Sequence, residues 1–224
     1  MESLERVYQP PLEDVFEKDF HLKGKWCRDV FGNDHPLILE LGCGKGEYTV
    51  GLARSYPEQN FMGLDIKGAR IWTGAKAAND EALANVAFLR TRIEFINSFF
   101  SRDEVDEIWI TFPDPQEKRR RLKKRLPGAH LLNNYRAFLK DGGLVHLKTD
   151  KQQLYLDTLE LIRFNELEVE RSSVDVYSEA WDDEIVRIQT YYEKRFLAEG
   201  TKINYICFRL PAGREIREFS DDSE

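Results

Sequence analysis

Short apolar runs alternate with longer amphipathic stretches along most of this chain, and this alternation limits the possible folds more than any other feature. Strands are predicted where apolar residues cluster between turn residues, at 37–41, 60–65, 86–91, 105–112, 143–149, 167–176 and 203–210. Helices are predicted where apolar residues recur every three to four positions, at 47–55, 69–83, 93–100, 131–139, 151–164 and 191–198. The order is typical of βαβ units, so the sequence predicts an α/β, Rossmann-like fold with about seven strands in a mostly parallel sheet and helices on both faces.

The composition changes only near the two ends, which predicts one domain with short additions. Hydrophobic residues make up 42% of the 224 residues, enough to bury a full core. Residues 1–35 contain the breakers Pro10 and Pro11 and are predicted to form an irregular or helical N-terminal extension. Residues 36–210 are predicted to form the domain, and residues 211–224 an acidic tail.

The cysteine and histidine positions do not suggest a disulfide framework or a metal site. Cys27, Cys43 and Cys207 are odd in number and lack C-x-x-C spacing, and the four histidines are scattered without ligand spacing. The first 20 residues lack a secretory apolar region, and no run of about 18 apolar residues occurs. We therefore expect a cytoplasmic protein that does not associate with a membrane.

Positive charge is concentrated in one segment, residues 118–125, which we call the basic segment. The chain has a net charge of -7, but this segment alone holds seven of its 33 basic residues. The other 26 basic residues face 40 acidic ones. Such a segment can be a solvated surface or a polyanion-binding site, and composition alone does not distinguish the two.

A glycine-rich turn follows the first predicted strand and opens the first predicted helix. Gly42, Gly44 and Gly46 follow Glu40 in a G-x-G-x-G pattern, which differs from the G-x-G-x-x-G of dinucleotide-binding proteins. Glycines let backbone approach a ligand closely. S-adenosylmethionine would bring a cationic amine to this turn, where the acid Glu40 suits it, whereas a nicotinamide cofactor would bring a pyrophosphate. A tight turn without a ligand is the alternative.

Asp65 ends the second predicted strand, 19 residues beyond Gly46. A carboxylate at this distance from a glycine turn can accept hydrogen bonds from both hydroxyls of a ribose. NAD-dependent enzymes share the feature. Asp65 therefore indicates a nucleoside ligand without specifying which one.

A rigid turn presents Asp114 at the end of the fourth predicted strand. Pro113 and Pro115 flank this residue, fix two φ angles and remove two backbone donors. In an open α/β sheet this strand end lies at the edge where ligands bind. Because the basic segment begins four residues after Asp114, a polyanion site there would lie beside the ligand.

Four sequence blocks occur together: residues 40–46, residues 112–115 with the following basic residues, residues 146–150 and residues 190–193. With these blocks the chain resembles the bacterial tRNA (guanine-N7)-methyltransferase family over about residues 36–210. The F-P-D-P block with its basic residues is fairly specific for the family, whereas the glycine turn is common to methyltransferases.

The resemblance implies an S-adenosylmethionine-dependent methyltransferase that modifies N7 of a guanine in tRNA, in the variable loop. It implies S-adenosylmethionine as cofactor, tRNA as partner, and a monomer or homodimer. It assigns cofactor binding to Glu40, Gly42, Gly44, Gly46 and Asp65, and both cofactor contact and catalysis to Asp114. It assigns substrate binding to Lys118, Asp150, Thr190, Tyr191, Tyr192 and Glu193.

One position departs from the family pattern. Members usually carry an aspartate just after the third strand, where it can accept from the adenine amine, but this chain has Arg92 there. Arginine cannot accept a hydrogen bond. We expect Glu94, or the backbone near Ile93, to take over this contact.

Two of the matched positions also have purely structural interpretations. Thr190 and Glu193 have the spacing of a helix capping box, and Asp150 could cap the helix that follows it.

The main alternative function is that of a noncatalytic RNA-binding protein with the same fold, because Arg92 replaces an expected cofactor contact. A nicotinamide-dependent dehydrogenase is less consistent with the glycine spacing. A small-molecule methyltransferase is less consistent with the basic segment.

Overall fold

The computed structural model describes residues 4–218, except for the side chain of Arg119. Its strands form one eight-stranded sheet in the order β1-β4-β3-β2-β5-β6-β8-β7. They are β1 Val7–Tyr8, β2 Leu37–Leu41, β3 Asn60–Asp65, β4 Val86–Arg90, β5 Val105–Thr111, β6 Leu139–Thr149, β7 Val169–Ser173 and β8 Asn204–Leu210. Strands β1 to β6 form parallel pairs, and β8 runs antiparallel to its neighbours β6 and β7, so seven of the eight strands point in one direction. The predicted mostly parallel Rossmann-like sheet is confirmed.

Helices cover both faces of this sheet. The α-helices are α1 Glu47–Ser55, α2 Gly68–Asp80, α3 Ala129–Tyr135, α4 Gln152–Phe164, α5 Glu184–Arg187 and α6 Tyr191–Ala198. Shorter 3-10 helices span Leu12–Asp14, Ile93–Ser98, Arg119–Lys124 and Val176–Ser178, and a π-helix spans Trp26–Phe31. None of the helices within residues 4–218 has the length and apolar character needed to span a membrane.

Two helices differ from their predicted forms. The helix predicted at 93–100 is a 3-10 helix of six residues. The helix predicted at 131–139 ends at Tyr135, because Leu139 already pairs with Val105 at the start of β6. Helix α5 was not predicted, since four residues are too few to show a helical period.

The central strands are buried because apolar side chains leave both of their faces. All five residues of β2 are buried; Leu37, Leu39 and Leu41 join one hydrophobic cluster and Ile38 joins the cluster on the opposite face. Burial on both faces is expected for parallel strands covered by helices. Glu40 therefore leaves the strand on the same face as Ile38, beneath α1.

The predicted N-terminal extension contributes to the core of the sheet. Val7 and Tyr8 form β1, which pairs with β4 and brings the strand count to eight instead of about seven. Trp26 is completely buried, and its indole N–H donates to the Phe99 carbonyl at 2.7 Å. A two-residue strand shows no periodicity, so the sequence did not reveal it. The boundary at residue 35 stays a prediction, but residues on both sides share one core.

The predicted acidic tail is described only to residue 218, and residues 219–224 lie outside the described residues. Ile216 is buried, and Asn165 holds the Arg217 backbone through hydrogen bonds of 2.8 and 2.9 Å. The first part of the tail is therefore fixed against α4.

Candidate active site

A cleft of about 690 Å3 lies at the carboxyl ends of five strands. Its volume falls within the roughly 300–1,000 Å3 typical of small-molecule sites. The segments that follow β2, β3, β4, β5 and β6 all contribute to its lining. The lining includes Gly42, Asp65, Ile66, Lys67, Arg70, Arg92, Ile93, Glu94, Phe112, Asp114, Gln116, Lys124, Leu126, Asp150, Lys151, Tyr192 and Phe196.

The glycine turn is held tightly between β2 and β3. The backbone N–H groups of Gly42 and Cys43 both donate to the Leu64 carbonyl, at 2.8 and 2.9 Å. Gly42 has φ +74° and lines the cleft. At Gly46, φ is +70° and a Cβ atom would lie 2.6 Å from the Phe88 ring. Gly42 is thus required by its backbone conformation, whereas Gly46 is required by packing as well.

Asp65 lies in the cleft as predicted. Its Oδ2 accepts from the Gly44 N–H at 2.9 Å, and its Oδ1 accepts from the Lys67 N–H at 2.7 Å. An ionised carboxylate has about four lone-pair positions, so each oxygen retains one for a ligand. The same contacts fix the carboxylate in place and tie Gly44 to β3.

Glu40 lies in the core beneath the turn and does not line the cleft. Its carboxylate accepts from the Thr49 N–H at 2.8 Å, from the Thr49 hydroxyl, and from the Thr111 hydroxyl at 2.6 Å. Burial raises the pKa of Glu40 to about 7, against the lowering effect of these hydrogen bonds. In this structure Glu40 braces α1 against β5, which differs from the predicted contact with a cofactor amine.

The loop that carries Asp114 has an unusual backbone. Phe112 has φ +47° and Gln116 has φ +48°, a region that residues other than glycine seldom adopt. The Gln116 N–H donates to Oδ1 of Asp114 at 3.0 Å, which orients the carboxylate in the cleft. Strained backbone of this kind persists where the surrounding structure requires it, and it is common at functional sites.

Arg92 and Glu94 form an ion pair in the cleft wall. Their side chains lie 3.2 Å apart, and both line the cleft. Burial opposes ionisation of Glu94, but the hydrogen bond and charge of Arg92 outweigh it and lower the pKa of the carboxyl. The wall therefore offers an ionised acceptor at Glu94, with Arg92 as its partner. The predicted replacement of the missing aspartate by Glu94 is compatible with this placement.

The basic segment forms a 3-10 helix along one side of the cleft. Lys124 lines the cleft, while Lys118 is exposed at the start of the helix and does not reach the lining. Arg125 is the anchor: its Nε donates to the Pro115 carbonyl at 3.0 Å and its Nη1 lies 2.5 Å from Asp157. The segment is thereby fixed to the Asp114 loop.

The start of α6 contains two buried residues that stabilise the helix and two exposed tyrosines. Thr190 and Glu193 form the predicted capping box, which is confirmed. Glu193 is completely buried and pairs with Lys148 at 2.6 Å, so its carboxylate is not presented to a substrate as predicted. Tyr191 and Tyr192 are 54% and 44% exposed, and Tyr192 lines the cleft.

Asp150 lines the cleft and does not cap α4. The N-cap residue is Lys151, without a side-chain cap, and the Thr149 hydroxyl accepts from the Lys151 N–H at 3.1 Å. The Asp150 carboxylate pairs instead with the Lys151 ammonium at 2.8 Å. The capping alternative for Asp150 is therefore wrong.

Several lining residues were not predicted from the sequence. Lys67 and Arg70 reach the cleft from the start of α2, and Phe196 from α6. The position of Lys67 directly after a strand end was an available signal. Phe196 lies far along the chain from the other lining residues, and only the fold brings it to them.

A doubly wound sheet with a glycine turn, an acid at the end of β3 and a cleft at the strand ends defines the class of Rossmann-like methyltransferases. A family model described as "Putative methyltransferase" matches residues 34–206. The fold resembles that of the 16S rRNA methyltransferase KamB, with a TM-score of 0.63 and 16% identity over 82% of this chain and 92% of that one. An antibiotic-related methyltransferase gives a TM-score of 0.63 and 17% identity over 86% and 96%.

Sequence relatives narrow the class to one family. This chain is 48% identical to a tRNA (guanine-N(7)-)-methyltransferase of Bacteroides thetaiotaomicron, over 97% of this chain and 86% of the relative. Relatives of the same name from Christiangramia forsetii and Porphyromonas gingivalis are 50% and 49% identical, over 93% and 94% of this chain and 94% and 86% of theirs. The chain belongs to the tRNA (guanine-N7)-methyltransferase family.

Proposed function

We propose that this protein transfers the methyl group of S-adenosylmethionine to N7 of a guanine in the variable loop of cytoplasmic tRNA. The observation that carries the proposal is the position of Asp114 in the cleft. It lies on the same cleft as the ribose-type acceptor Asp65 and beside the basic segment. A nucleoside cofactor and a polyanionic substrate would therefore meet at this residue.

The described residues fit the cofactor. Asp65 retains an acceptor position on each oxygen for the two hydroxyls of a ribose, and Glu94 offers an ionised acceptor for the adenine amine. Ile66 is 54% exposed and lines the cleft together with Ile93, which gives a flat base an apolar surface to contact. S-adenosylmethionine supplies a methyl group on a positively charged sulfur.

The residues around Asp114 need to orient the acceptor but not to deprotonate it. Guanine N7 carries an in-plane lone pair and no proton, so its attack requires no general base. Orientation in a site that excludes water is then the main source of rate enhancement. We assign to Asp114 the binding of the guanine edge that carries N1–H and the 2-amino group. Its carboxylate also stabilises the positive charge that develops on the purine.

The rim of the cleft suits an unpaired base and its phosphates. The rings of Tyr191 and Tyr192 lie 5.6 Å apart, and the Lys45 ammonium lies 4.5 Å from the centre of the Tyr191 ring. Exposed aromatic side chains stack on bases of single-stranded loops. We assign phosphate contacts to the exposed basic residues of the basic segment.

The test is to incubate the purified protein with labelled S-adenosylmethionine and unmodified bulk tRNA, and then to identify the labelled nucleoside. We expect 7-methylguanosine. The Asp114→Ala variant should bind tRNA normally and transfer little label. Tight tRNA binding without any transfer by the wild-type protein would instead support a noncatalytic RNA-binding protein.

A further inference from the structure

Gln116 has a polar side-chain atom without a hydrogen-bond partner in the part of the chain that the structure describes. Its side-chain Oε1 is buried and has no hydrogen-bond partner among the described groups of residues 4–218, which exclude the Arg119 side chain, although the residue lines the cleft. An unpaired buried acceptor costs free energy, and most such groups in folded proteins are paired. A molecule bound in the cleft can supply the missing donor after a rotation about the terminal amide torsion, which is soft.

The backbone at Gln116 is held in an uncommon conformation by specific contacts. With φ +48°, the residue donates its N–H to Oδ1 of Asp114 at 3.0 Å, and Arg125 holds the preceding Pro115 carbonyl at 3.0 Å. Arg125 is itself fixed by Asp157 at 2.5 Å. The position of Gln116 is therefore rigidly linked to that of Asp114.

Asp114 and Gln116 together can offer two acceptors to a bound base, the second one after the rotation of the Gln116 amide. Oδ1 of Asp114 accepts from the Gln116 N–H, while none of the described side chains or backbone groups donates a hydrogen bond to Oδ2. The second acceptor is Oε1 of Gln116. Guanine carries two adjacent donor groups on one edge, N1–H and the 2-amino group. Adenine carries a lone pair at N1 and no amino group at C2.

We propose that Gln116 is a specificity-determining residue that accepts a hydrogen bond from the 2-amino group of the target guanine. This inference rests on the proposed function and deepens it. Asp114 takes N1–H through Oδ2, and Gln116 takes the neighbouring amino group. Adenine at the same place would bring its N1 lone pair against a carboxylate and leave Gln116 unpaired. Sites that leave buried polar groups unpaired with the wrong substrate discriminate strongly.

The test compares two tRNA transcripts that differ only at the target position, which is guanine in one and inosine in the other. Inosine retains N1–H, O6 and N7 but lacks the 2-amino group. The wild-type protein should show a kcat/KM for inosine about tenfold or more below that for guanine. The Gln116→Met variant, similar in length but without an acceptor, should lose about tenfold with guanine and less than about twofold with inosine.

Further variants separate recognition from a merely structural role. Gln116→Glu keeps an acceptor and should restore most of the activity with guanine. Gln152→Met makes the same substitution at an exposed residue of α4 that does not line the cleft, and it should leave both substrates unaffected. Calorimetric affinity for S-adenosylmethionine should not change in Gln116→Met.

An equal loss with both substrates in Gln116→Met would overturn the inference, because it would indicate a loop defect or a contact with O6, which inosine retains. Unchanged kinetics with both substrates would overturn it as well. If the wild-type protein failed to methylate the guanine transcript, the proposed function itself would fail, and that outcome is seen before any variant is made.

Discussion

At the scale of single residues, the two acids near the glycine turn differ in what surrounds them. Asp65 has one backbone donor on each oxygen and lies in the cleft, whereas Glu40 has three donors and lies in the core. Sequence position made both look like cofactor ligands. Their depth in the sheet separates them, because Glu40 pairs in register with Gly63, two residues before Asp65, and so lies under α1, whereas Asp65 lies at the strand end beside the cleft.

The Asp65→Ala substitution should weaken S-adenosylmethionine binding by about 1.5–3 kcal/mol, since it removes charge-assisted hydrogen bonds to the ribose. Isothermal titration calorimetry measures this directly. The melting temperature without cofactor serves as control, because Asp65 also holds the Gly44 N–H. An unchanged affinity in a folded variant would exclude Asp65 from the cofactor site.

His146 should make the stability depend on pH. Burial favours its neutral form, but hydrogen bonds to Cys207 and Glu107 and the Glu107 charge raise the His146 pKa from 6.5 to about 9. The ring nitrogens lie 2.6 Å from the Tyr205 hydroxyl and 3.1 Å from the Glu107 carboxylate. A raised histidine pKa stabilises the fold fully below pH 6.5, and this contribution disappears as the pH rises through 9.

We therefore expect the free energy of unfolding to fall between pH 6.5 and 9, by up to about 3 kcal/mol from this group. Urea unfolding at several pH values measures it. The His146→Gln variant should have a lower stability at pH 6.5 and a flatter profile over this range. Parallel profiles for the two proteins would contradict the assignment.

At the scale of elements, α6 is fixed by a buried ion pair below its capping box. Lys148 of β6 contacts Glu193 at 2.6 Å with both side chains completely buried, and the Tyr177 hydroxyl donates to Glu193 at 2.7 Å. The Lys148 ammonium also donates to the carbonyls of Ile185 and Ile188. This pair connects α5 and α6 to the sheet and so positions Tyr192 at the cleft.

The Glu193→Ala substitution should destabilise the protein by about 3–5 kcal/mol, because it leaves the buried Lys148 ammonium without an opposite charge. Thr190→Ala removes only the cap and should cost about 0.5–2 kcal/mol. Urea unfolding compares the two. In the double variant Lys148→Met with Glu193→Leu, the loss should be smaller than in Glu193→Ala. Equal losses for Thr190→Ala and Glu193→Ala would mean that the ion pair adds nothing beyond the cap.

The basic segment divides into residues that face solvent and one that holds the loop. Arg120 and Lys123 are exposed, whereas Arg125 is engaged with Pro115 and Asp157. Replacing Arg120 and Lys123 by glutamine should raise the tRNA KM and leave the affinity for S-adenosylmethionine unchanged. If both contact phosphates, the log-log salt slope of tRNA binding should become shallower by roughly 1.4–1.8.

Arg28 and Arg102 provide the matched control for this experiment. Their side chains are 74% and 85% exposed. They precede β2 and β5 and so lie near the amino ends of the strands, whereas the cleft lies at the carboxyl ends. Their replacement by glutamine changes the net charge equally but should leave the salt slope as in the wild type. The same shift in both double variants would show that only the overall charge matters.

At the scale of the whole molecule, the N-terminal residues complete the fold. The Trp26 ring packs against Phe20 at 5.9 Å and Phe100 at 6.0 Å. The Gly24 and Trp26 N–H groups donate to Glu104, at 2.8 and 3.2 Å, and so tie this segment to the start of β5. Residues before position 36 therefore cover one end of the core.

A chain that begins at residue 36 should not fold to a stable monomer, because it would expose the aromatic cluster around Trp26. In the full chain, Trp26→Ala should cost about 3–5 kcal/mol. Circular dichroism with urea unfolding tests both. A cooperative transition of unchanged midpoint in the truncated chain would show that these residues form a separate unit.

The sequence by itself determined the order of the seven longer strands and of most helices, the mostly parallel sheet and several of the strand ends that line the cleft. These features depend on local periodicity and on the rule that ligands bind at the carboxyl ends of parallel strands. The tertiary structure alone decided that Glu40 and Glu193 are buried, that β1 adds an eighth strand, and that Gln116 and Phe196 reach the cleft. The reason is physical: burial and pairing depend on contacts between residues far apart in the chain, and local sequence patterns do not record those contacts.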